Sequence, residues 1–216
     1  MKRIIVICEG QTEREFCKDV LAPHFINLET YIQAPLIKKT GGGIVKWEIL
    51  KKQIENHLKQ EKDLIVTTFI DYYGLKSKHE FPKWDKAKKI ININDRMSFL
   101  ENTMKDDIED SLSHRFIPYI QLHEFEGLLF NNIAVFTNNF EVEEIKDINE
   151  LAKIIDDHPN PELINDGSTT APSKRLIRLI NGYNKIVYGS LLAEEIGLDN
   201  IREKCPRFNN WIDILE

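Results

Sequence analysis

The chain has 216 residues, a formal net charge of −6 and an apolar fraction of 42%. This length is enough to bury a sizeable hydrophobic core, and the composition is that of an ordinary globular protein. No apolar run reaches the length of a membrane span. The negative charge argues against a protein that coats nucleic acid through bulk positive charge, but it does not exclude an enzyme whose carboxylates hold divalent metal.

The cysteines and the N-terminal residues indicate in which cellular compartment the protein is expected. Cys8, Cys17 and Cys205 are odd in number and lack metal-motif spacing. Cys8 lies in an apolar run, where burial as a small hydrophobe is favoured over reactivity. The N-terminal residues lack the long apolar region and cleavage site of a signal peptide. We therefore expect a soluble cytoplasmic protein that does not bind membranes.

The first candidate strand is followed by an acid and a glycine turn. Residues 4–8 are apolar and mostly β-branched, which is typical of a strand buried on both faces. The run stops at Glu9, and Thr12 and Glu15 have the spacing of a capping box that opens a helix. We expect Pro23 to end or kink that helix. Since ligands of open α/β sheets bind at the carboxyl ends of strands, Glu9 is a candidate ligand-site residue.

A second strand repeats this pattern. Residues 63–71 form another β-rich apolar run that ends on an acid, Asp71, with Gly74 shortly after it. A predicted helix over residues 45–58 separates the two strands. A helical crossover of this kind joins parallel strands, whose carboxyl ends meet at one edge of the sheet. The sequence therefore predicts that Glu9 and Asp71 lie close together.

Periodicity predicts the remaining elements. Helices are expected over residues 13–20, 45–58, 94–112, 142–155, 173–180 and 191–196, with Asn94 as a possible cap. Further strands are expected over residues 31–37, where Pro35 favours an edge position, and over residues 116–122. We predict an α/β core over residues 1–135, with a mainly parallel sheet flanked by helices. Residues 136–216 are predicted to form a mainly helical C-terminal extension that packs on this core.

A third group of acids follows the last predicted strand. His123, Glu124 and Glu126 come directly after residues 116–122. In an extended backbone Glu124 and Glu126 face the same side and would both reach the site. Alternatively, these acids begin a helix that continues through Leu128. For His123 the alternatives are a catalytic group and a structural hydrogen-bonding residue.

Several motifs resemble known families. Residues 9–13 (Glu-Gly-Gln-Thr-Glu) together with residues 71–74 (Asp-Tyr-Tyr-Gly) resemble a Toprim domain, which topoisomerases, bacterial primases, RNA-maturing nucleases and OLD (overcoming lysogenization defect) nucleases share. The Glu-Gly-x-x-Glu form is most similar to the OLD-like branch. Residues 123–130 and 205–209 resemble an uncharacterised bacterial family of the domain-of-unknown-function type that is grouped with Toprim-like proteins. The Glu-Gly-x-x-Glu motif is short, and its position between a predicted strand and a predicted helix makes the resemblance more specific.

The resemblance implies a Toprim-like fold and a metal site. Toprim enzymes use the glutamate that matches Glu9 as a metal ligand or general acid/base, and Asp71 matches the first acid of their Asp-x-Asp-x-x-Gly motif. Tyr73 stands where the second aspartate is usual, which is a departure from the standard two-metal arrangement. The replacement ligand is then expected from Glu13 or from residues 124–126.

These residues define a candidate mechanism of phosphodiester cleavage with Mg²⁺ or Mn²⁺. The predicted metal ligands are Glu9, Glu13, Asp71, Glu124 and Glu126. The predicted catalytic residues are Glu9, Asp71 and His123. The predicted substrate-binding residues are Lys76, Lys78, Lys83, Lys174 and Arg175, with Trp84 as a stacking surface. The lysine-rich stretch is also typical of a solvated surface.

The leading hypothesis is a metal-dependent Toprim-type nuclease that acts on DNA or RNA. The resemblance further implies a role in phage defence beside an ATPase partner. The alternative is a catalytically degenerate Toprim-like subunit with a regulatory or scaffold role, which Tyr73 favours. A third hypothesis, a nucleotide-binding α/β protein, is disfavoured because the glycines at residues 41–43 lack the following Lys-Ser or Lys-Thr pair of a P-loop.

Overall fold

The computed structural model describes residues 2–38, 43–164, 167 and 169–216, so Gly41 and Gly42 of the glycine run lie outside the described residues. The strands in these ranges are β1 (Lys2–Cys8), β2 (Thr30–Gln33), β3 (Ile65–Asp71), β4 (Phe116–Ile117) and β5 (Ile120–Gln121). The helices are α1 (Gln11–Phe16), α2 (Ala22–Asn27), α3 (Trp47–Gln60), α4 (Trp84–Ala87), α5 (Ile93–Asp106), α6 (Asp110–Ser113), α7 (Ile133–Asn139), α8 (Ile148–Asp157), α9 (Pro172–Leu179), α10 (Lys185–Ile196), α11 (Leu198–Lys204) and α12 (Pro206–Leu215). None of the helices in these ranges is long and apolar enough to cross a membrane.

The strands form one parallel sheet in the order β2-β1-β3-β4, with β5 also paired to β3. Strands β1 and β3 are in register from Ile4↔Ile65 to Cys8↔Phe69. Strand β2 lies at an edge and ends just before Pro35, which agrees with the edge position predicted from that proline. The predicted α/β class, with a mainly parallel sheet flanked by helices, is confirmed.

The last predicted strand, residues 116–122, is divided into β4 and β5 at Pro118. Proline has no backbone N–H and interrupts the ladder with β3. The side chain of Thr68 restores the connection on both sides, since its Oγ1 donates to the Tyr119 carbonyl at 2.9 Å and accepts from the Tyr119 N–H at 3.0 Å. Both backbone groups of Tyr119 are therefore satisfied although the ladder is not continuous.

Each face of the sheet carries its own hydrophobic core, because side chains alternate along a strand. On β1, one face presents Ile4, Val6 and Cys8, and the other presents Ile5 and Ile7. The first core is completed by α1, α2 and the helices from α7 to α12, and the second by the helices from α3 to α6. Burial on both faces explains why β1 reads as a continuous apolar run.

The C-terminal helix α12 packs directly on the sheet. Trp211 stacks on Tyr119, with ring centroids 4.3 Å apart, and its Nε1 donates a 2.9 Å hydrogen bond to Thr67 Oγ1 on β3. Phe208 contacts Phe16 and Phe69 edge-on or tilted. Residues before and after the predicted boundary at 135/136 thus share one core, and the division into two domains stays a prediction.

Two helices differ from the prediction at prolines and caps. Of the two outcomes expected at Pro23, an end and a kink, the end does not occur, because a π-helical turn over Cys17–Leu21 lets the Ala22 N–H bond the Cys17 carbonyl and α2 then continues. The predicted helix over residues 94–112 is divided into α5 and α6, and its cap is Asn92 rather than Asn94. Residues 142–147 precede α8 instead of belonging to it.

The packing of α12 predicts a stability difference between two positions of the same helix. Phe208 is fully buried, whereas Ile214 is 53% exposed. We expect Phe208→Ala to lower the free energy of unfolding by about 3–5 kcal/mol through lost contacts and a residual cavity. We expect Ile214→Ala to cost about 0.5 kcal/mol or less. Urea unfolding measures both, and equal losses would contradict the packing described.

Candidate functional site

Glu9 and Asp71 meet at the carboxyl ends of β1 and β3. Glu9 extends the ladder between these strands by donating its N–H to the Phe69 carbonyl at 3.0 Å. Asp71 is the last residue of β3, and its backbone N–H donates a 3.0 Å hydrogen bond to Glu9 Oε2. The structure therefore brings together the two acids that the repeated strand pattern singles out.

Gly74 leaves room for the Glu9 carboxylate. The chain turns after β3 through a 3₁₀ helix over Tyr72–Gly74. A Cβ atom at position 74 would lie only 2.9 Å from Glu9 Oε1. A side chain at position 74 would thus force the Glu9 carboxylate to shift.

Glu13 joins the site from α1. The helix begins after Gly10, and Glu13 Oε2 accepts the Gly10 N–H at 2.8 Å. The predicted capping box of Thr12 and Glu15 is wrong, because the helix starts earlier than its apolar periodicity suggests. Glu15 instead forms an ion pair with Arg14 at 2.8 Å. Glu13 is only 4% exposed, so its carboxylate lies inside the protein.

Glu124 connects the site to α9. The N–H of Phe125 donates to Asp71 Oδ1 at 3.0 Å, which ties the loop after β5 to the end of β3. Both Glu124 oxygens accept hydrogen bonds from Ser173, one from its N–H at 2.9 Å and one from its hydroxyl at 3.1 Å. Glu124 therefore caps the start of α9 as well as lying near the other acids.

Glu126 and Lys185 form the other side of the acid cluster. Glu126 belongs to a 3₁₀ turn over Phe125–Leu129 and is 2% exposed. Its Oε1 is buried without a hydrogen-bond partner among the described residues and lies 3.9 Å from Lys185 Nζ. Lys185 is the first residue of α10, and its side chain is 58% exposed.

Three of the five acids, Glu9, Glu13 and Asp71, line a cavity of about 300 Å³ together with Lys185. Its lining consists of Glu9, Gly10, Gln11, Thr12, Glu13, Gly43, Asp71, Lys185 and Ile186. Burial raises the pKa of Glu9 and of Glu13, and the neighbouring acids raise each pKa further. Burial, followed by the charges of Glu13 and Glu9, raises the pKa of Asp71 well above its usual value. Burial also raises the pKa of Glu126 to about 7.

The acids of the cluster also shift the pKa of Lys185. Partial burial by itself would lower the pKa of Lys185, but the charges of Glu126, Glu13 and Asp71 raise it above the ordinary value. The Lys185 charge in turn favours the ionised forms of Glu9 and Glu126. The ammonium group and the carboxylates therefore stabilise each other's charge.

The donor atoms of the site fit Mg²⁺ or Mn²⁺, which prefer carboxylate oxygen ligands. The buried Glu126 Oε1, which lacks a hydrogen-bond partner in the described part of the chain, is a suitable metal ligand. As they stand, however, no three Asp, Glu, His or Cys residues within the described ranges are arranged to hold a metal ion. Binding would require carboxylates such as Glu9 to rotate away from their present partners.

The backbone of His123 helps to hold the turns beside the site. Its φ of +62° is in the left-handed region, which is uncommon for residues other than glycine. Its carbonyl accepts the Tyr73 N–H at 2.9 Å, so the turns that follow β3 and β5 are joined at this point. The catalytic role of His123 stays a prediction.

Of the cations predicted to bind substrate, Lys76 follows the end of β3 most closely in sequence. Its Nζ is 5.1 Å from the centroid of the Tyr73 ring, and both residues line a neighbouring cavity of about 270 Å³. Lys78 and Lys83 are exposed in the following turns. Trp84 is largely buried and donates its Nε1 to Ser77 Oγ at 3.1 Å, so most of its ring is not available for stacking.

Lys174 and Arg175 lie in the first turn of α9. The Arg175 Nε donates to the Thr170 carbonyl at 2.7 Å. The Ser173 N–H of this turn already bonds the Glu124 carboxylate, so this donor is not open to a phosphate. The substrate-binding roles of these two cations stay predictions.

Two features of the site, Lys185 and the capping partner of Glu124, are not predicted from the sequence. A lysine at the first position of a helix faces the positive end of the helix dipole, which is unfavourable unless acids lie nearby. That signal was hidden because the predicted helix began at residue 191, six residues after Lys185. The pairing of Glu124 with Ser173 has no local signal, since the two residues are far apart in sequence.

The raised pKa of Glu126 predicts how stability depends on pH without metal. The protonated carboxyl is favoured in the fold, so its contribution is fully present below about pH 4.5 and is lost as the pH rises through about 7. This shift corresponds to at most about 3 kcal/mol. We expect Glu126→Gln to match the wild type at pH 5 and to be more stable at pH 8. Urea unfolding in chelator at both pH values measures this, and identical pH profiles would contradict it.

Three comparisons place the chain among known proteins. No curated protein matches it. The chain is similar to the solved C-terminal region of the OLD protein of Xanthomonas campestris pv. campestris, at 13% identity and a TM-score of 0.37, over 99% of this chain and 97% of that one. The model of a family described as "Domain of unknown function (DUF4276)" matches residues 8–216. The chain therefore belongs to the DUF4276 family.

Proposed function

We propose that this protein is a metal-dependent nuclease of Toprim type that hydrolyses phosphodiester bonds in DNA or RNA. The observation that carries the proposal is the gathering of five acids at the carboxyl end of a parallel sheet. They are Glu9, Glu13, Asp71, Glu124 and Glu126. Burying carboxylates beside each other costs stability, so such a cluster is better explained by a ligand of positive charge than by folding.

Mg²⁺ or Mn²⁺ would be held by Glu9 and Asp71, with Glu13 or Glu126 as a further ligand. When bound, such an ion activates a water molecule and stabilises negative charge on the phosphate. Backbone N–H groups fix one oxygen each of Glu9, Glu13 and Asp71. These hydrogen bonds hold the carboxylates at one edge of the sheet in the metal-free protein, so metal binding would require side chains to rotate but no strand to move.

We assign substrate contact to Tyr73 and Lys76 beside the acids. Tyr73 replaces the second aspartate of the Toprim motif, and Lys76 Nζ lies over its ring. An aromatic ring next to an ammonium group suits a nucleotide, whose base can stack while its phosphate meets the positive charge. A residue that is a metal ligand elsewhere in Toprim proteins would here be a binding surface.

The direct test is cleavage of single-stranded and duplex DNA and RNA with Mg²⁺ or Mn²⁺. Glu9→Gln and Asp71→Asn remove a charge but keep an oxygen for the hydrogen bonds from Asp71 and Phe125. We expect each variant to lower cleavage by at least about a hundredfold.

The matched control is Glu194→Gln, which neutralises an exposed acid on α10 and should leave cleavage unchanged. Chelator should abolish cleavage by the wild type. The proposal fails if no substrate is cut by the wild type, or if the two site variants cut as well as the control.

The close approach of Gly74 to Glu9 predicts a second effect on activity. In Gly74→Ala the new Cβ would displace the Glu9 carboxylate, and we expect cleavage to fall by about a hundredfold. Because the loss acts through Glu9, adding Gly74→Ala to Glu9→Gln should lower the rate little further. Independent, multiplying losses would show that Gly74 acts elsewhere. Unfolding measurements on each variant control for loss of folded protein.

A second candidate function is a catalytically degenerate Toprim-like subunit that regulates or docks onto a partner. It is favoured by Tyr73 and by the lack, within the described ranges, of three ligands already arranged around a metal ion. Calorimetry with Mn²⁺ separates the two candidates, since a scaffold need not bind metal through Glu9. On the resemblance of residues 9–13 to OLD nucleases, we further propose an ATPase partner and a role in phage defence.

A further inference from the structure

Lys185 places a positive charge inside the acidic cavity. Its Nζ is 3.9 Å from Glu126 Oε1, and its side chain lines the cavity together with Glu9, Glu13 and Asp71. It is the cationic residue of the lining within the described residues. Its charge interacts favourably with each of the five acids of the cluster.

The position of Lys185 is not explained by its own helix. As the first residue of α10 it lies at the positive end of the helix dipole, where a cation is disfavoured. An exposed ion pair would contribute little stability. Glu126, however, is 2% exposed, and no hydrogen bond to its Oε1 offsets the burial of that atom. The charge of the acid cluster is therefore the interaction that accounts for the ammonium group at this point.

The side chain of Lys185 is also able to move out of the cavity into solvent. It is 58% exposed, and a lysine has a long flexible stem with an ammonium group that is easily rehydrated. Its 3.9 Å distance to Glu126 is that of an ion pair rather than a direct hydrogen bond. Withdrawal to solvent would break no hydrogen bond that fixes the backbone of α10, whose cap is the side chain of Asn184.

We propose that Lys185 is a built-in counter-cation, which occupies the acidic cavity of the metal-free protein and withdraws when a divalent cation binds. This inference rests on the proposed function, because it assumes that the acids bind metal. A divalent cation and an ammonium group a few ångströms apart repel each other, so the two compete for the same carboxylates. The lysine would stabilise the empty cluster and weaken its metal affinity at the same time.

The test is Mn²⁺ binding to the metal-free chain of 216 residues, measured by calorimetry. We expect Lys185→Met and Lys185→Gln to bind Mn²⁺ about tenfold more tightly than the wild type, because the competing charge is gone. Lys185→Arg, which keeps the charge, should bind no more tightly than the wild type. Lys153→Met removes an exposed lysine on α8, outside the cavity lining, and serves as the matched control with unchanged affinity.

Thermal unfolding in chelator gives a second readout. Both neutral variants should melt at a lower temperature than the wild type, since five acids then lack their counter-cation, and Mn²⁺ should raise their melting temperature more than that of the wild type. Two neutral variants are used so that a folding defect of one does not decide the result. Unchanged or weaker Mn²⁺ binding by the neutral variants would overturn the proposal, as would unchanged melting in chelator.

Mn²⁺ affinity and nucleic-acid cleavage, measured on the same variants, separate the role of Lys185 from the nuclease function. If neither the wild type nor the neutral variants bind Mn²⁺, both are overturned. If Mn²⁺ binds with the predicted order of affinities but no nucleic acid is cut, the counter-cation is supported and the nuclease function is not. If nucleic acid is cut but the affinities of wild type and neutral variants are equal, Lys185 has no competing role.

Discussion

Parallel pairing of β1 with β3 fixes the positions of Glu9 and Asp71 relative to each other. The register that joins Cys8 to Phe69 brings Glu9 level with Ile70, one residue before Asp71, so the Asp71 N–H reaches the Glu9 carboxylate at 3.0 Å. The loop after β5 attaches to this pair when the Phe125 N–H bonds Asp71. A shift of the register by one residue would turn Glu9 or Asp71 toward the opposite face of the sheet. The site therefore depends on backbone pairing before it depends on any side chain.

Backbone N–H groups hold three of the acids in place, but their hydrogen bonds do not fully offset the cost of burying the carboxylates. Backbone N–H groups contact Glu9, Glu13 and Asp71, yet burial still raises the pKa of each of these residues. The fold thus retains unfavourable electrostatic energy at one edge of the sheet, while its two hydrophobic cores supply the stability that offsets this energy. Proteins concentrate such perturbed groups at functional sites. The same reasoning accounts for Lys185, which lowers the repulsion without removing it.

The sequence contains the local part of this arrangement. Two β-rich runs that end in Glu9 and Asp71 predict the parallel sheet and the proximity of the acids, since both follow from strand burial and crossover rules. The contacts made over long distances are not predictable in this way. Nothing near Ser173 indicates that it caps its helix with Glu124, and the break at Pro118 depends on the Thr68 hydroxyl of another strand. Local sequence therefore predicts where the site lies, whereas the contacts that complete it depend on the tertiary structure.

The double hydrogen bond between Glu124 and Ser173 mechanically links the two halves of the chain. If Glu124 turns toward a cation at the strand ends, the first turn of α9 loses the acceptor for its Ser173 N–H. If Glu124 stays with Ser173, its carboxylate contributes charge but not coordination. Only in the first case would binding of a cation at the strand ends be coupled to the order of α9, and a molecule that docks on α9 would then change the affinity for that cation.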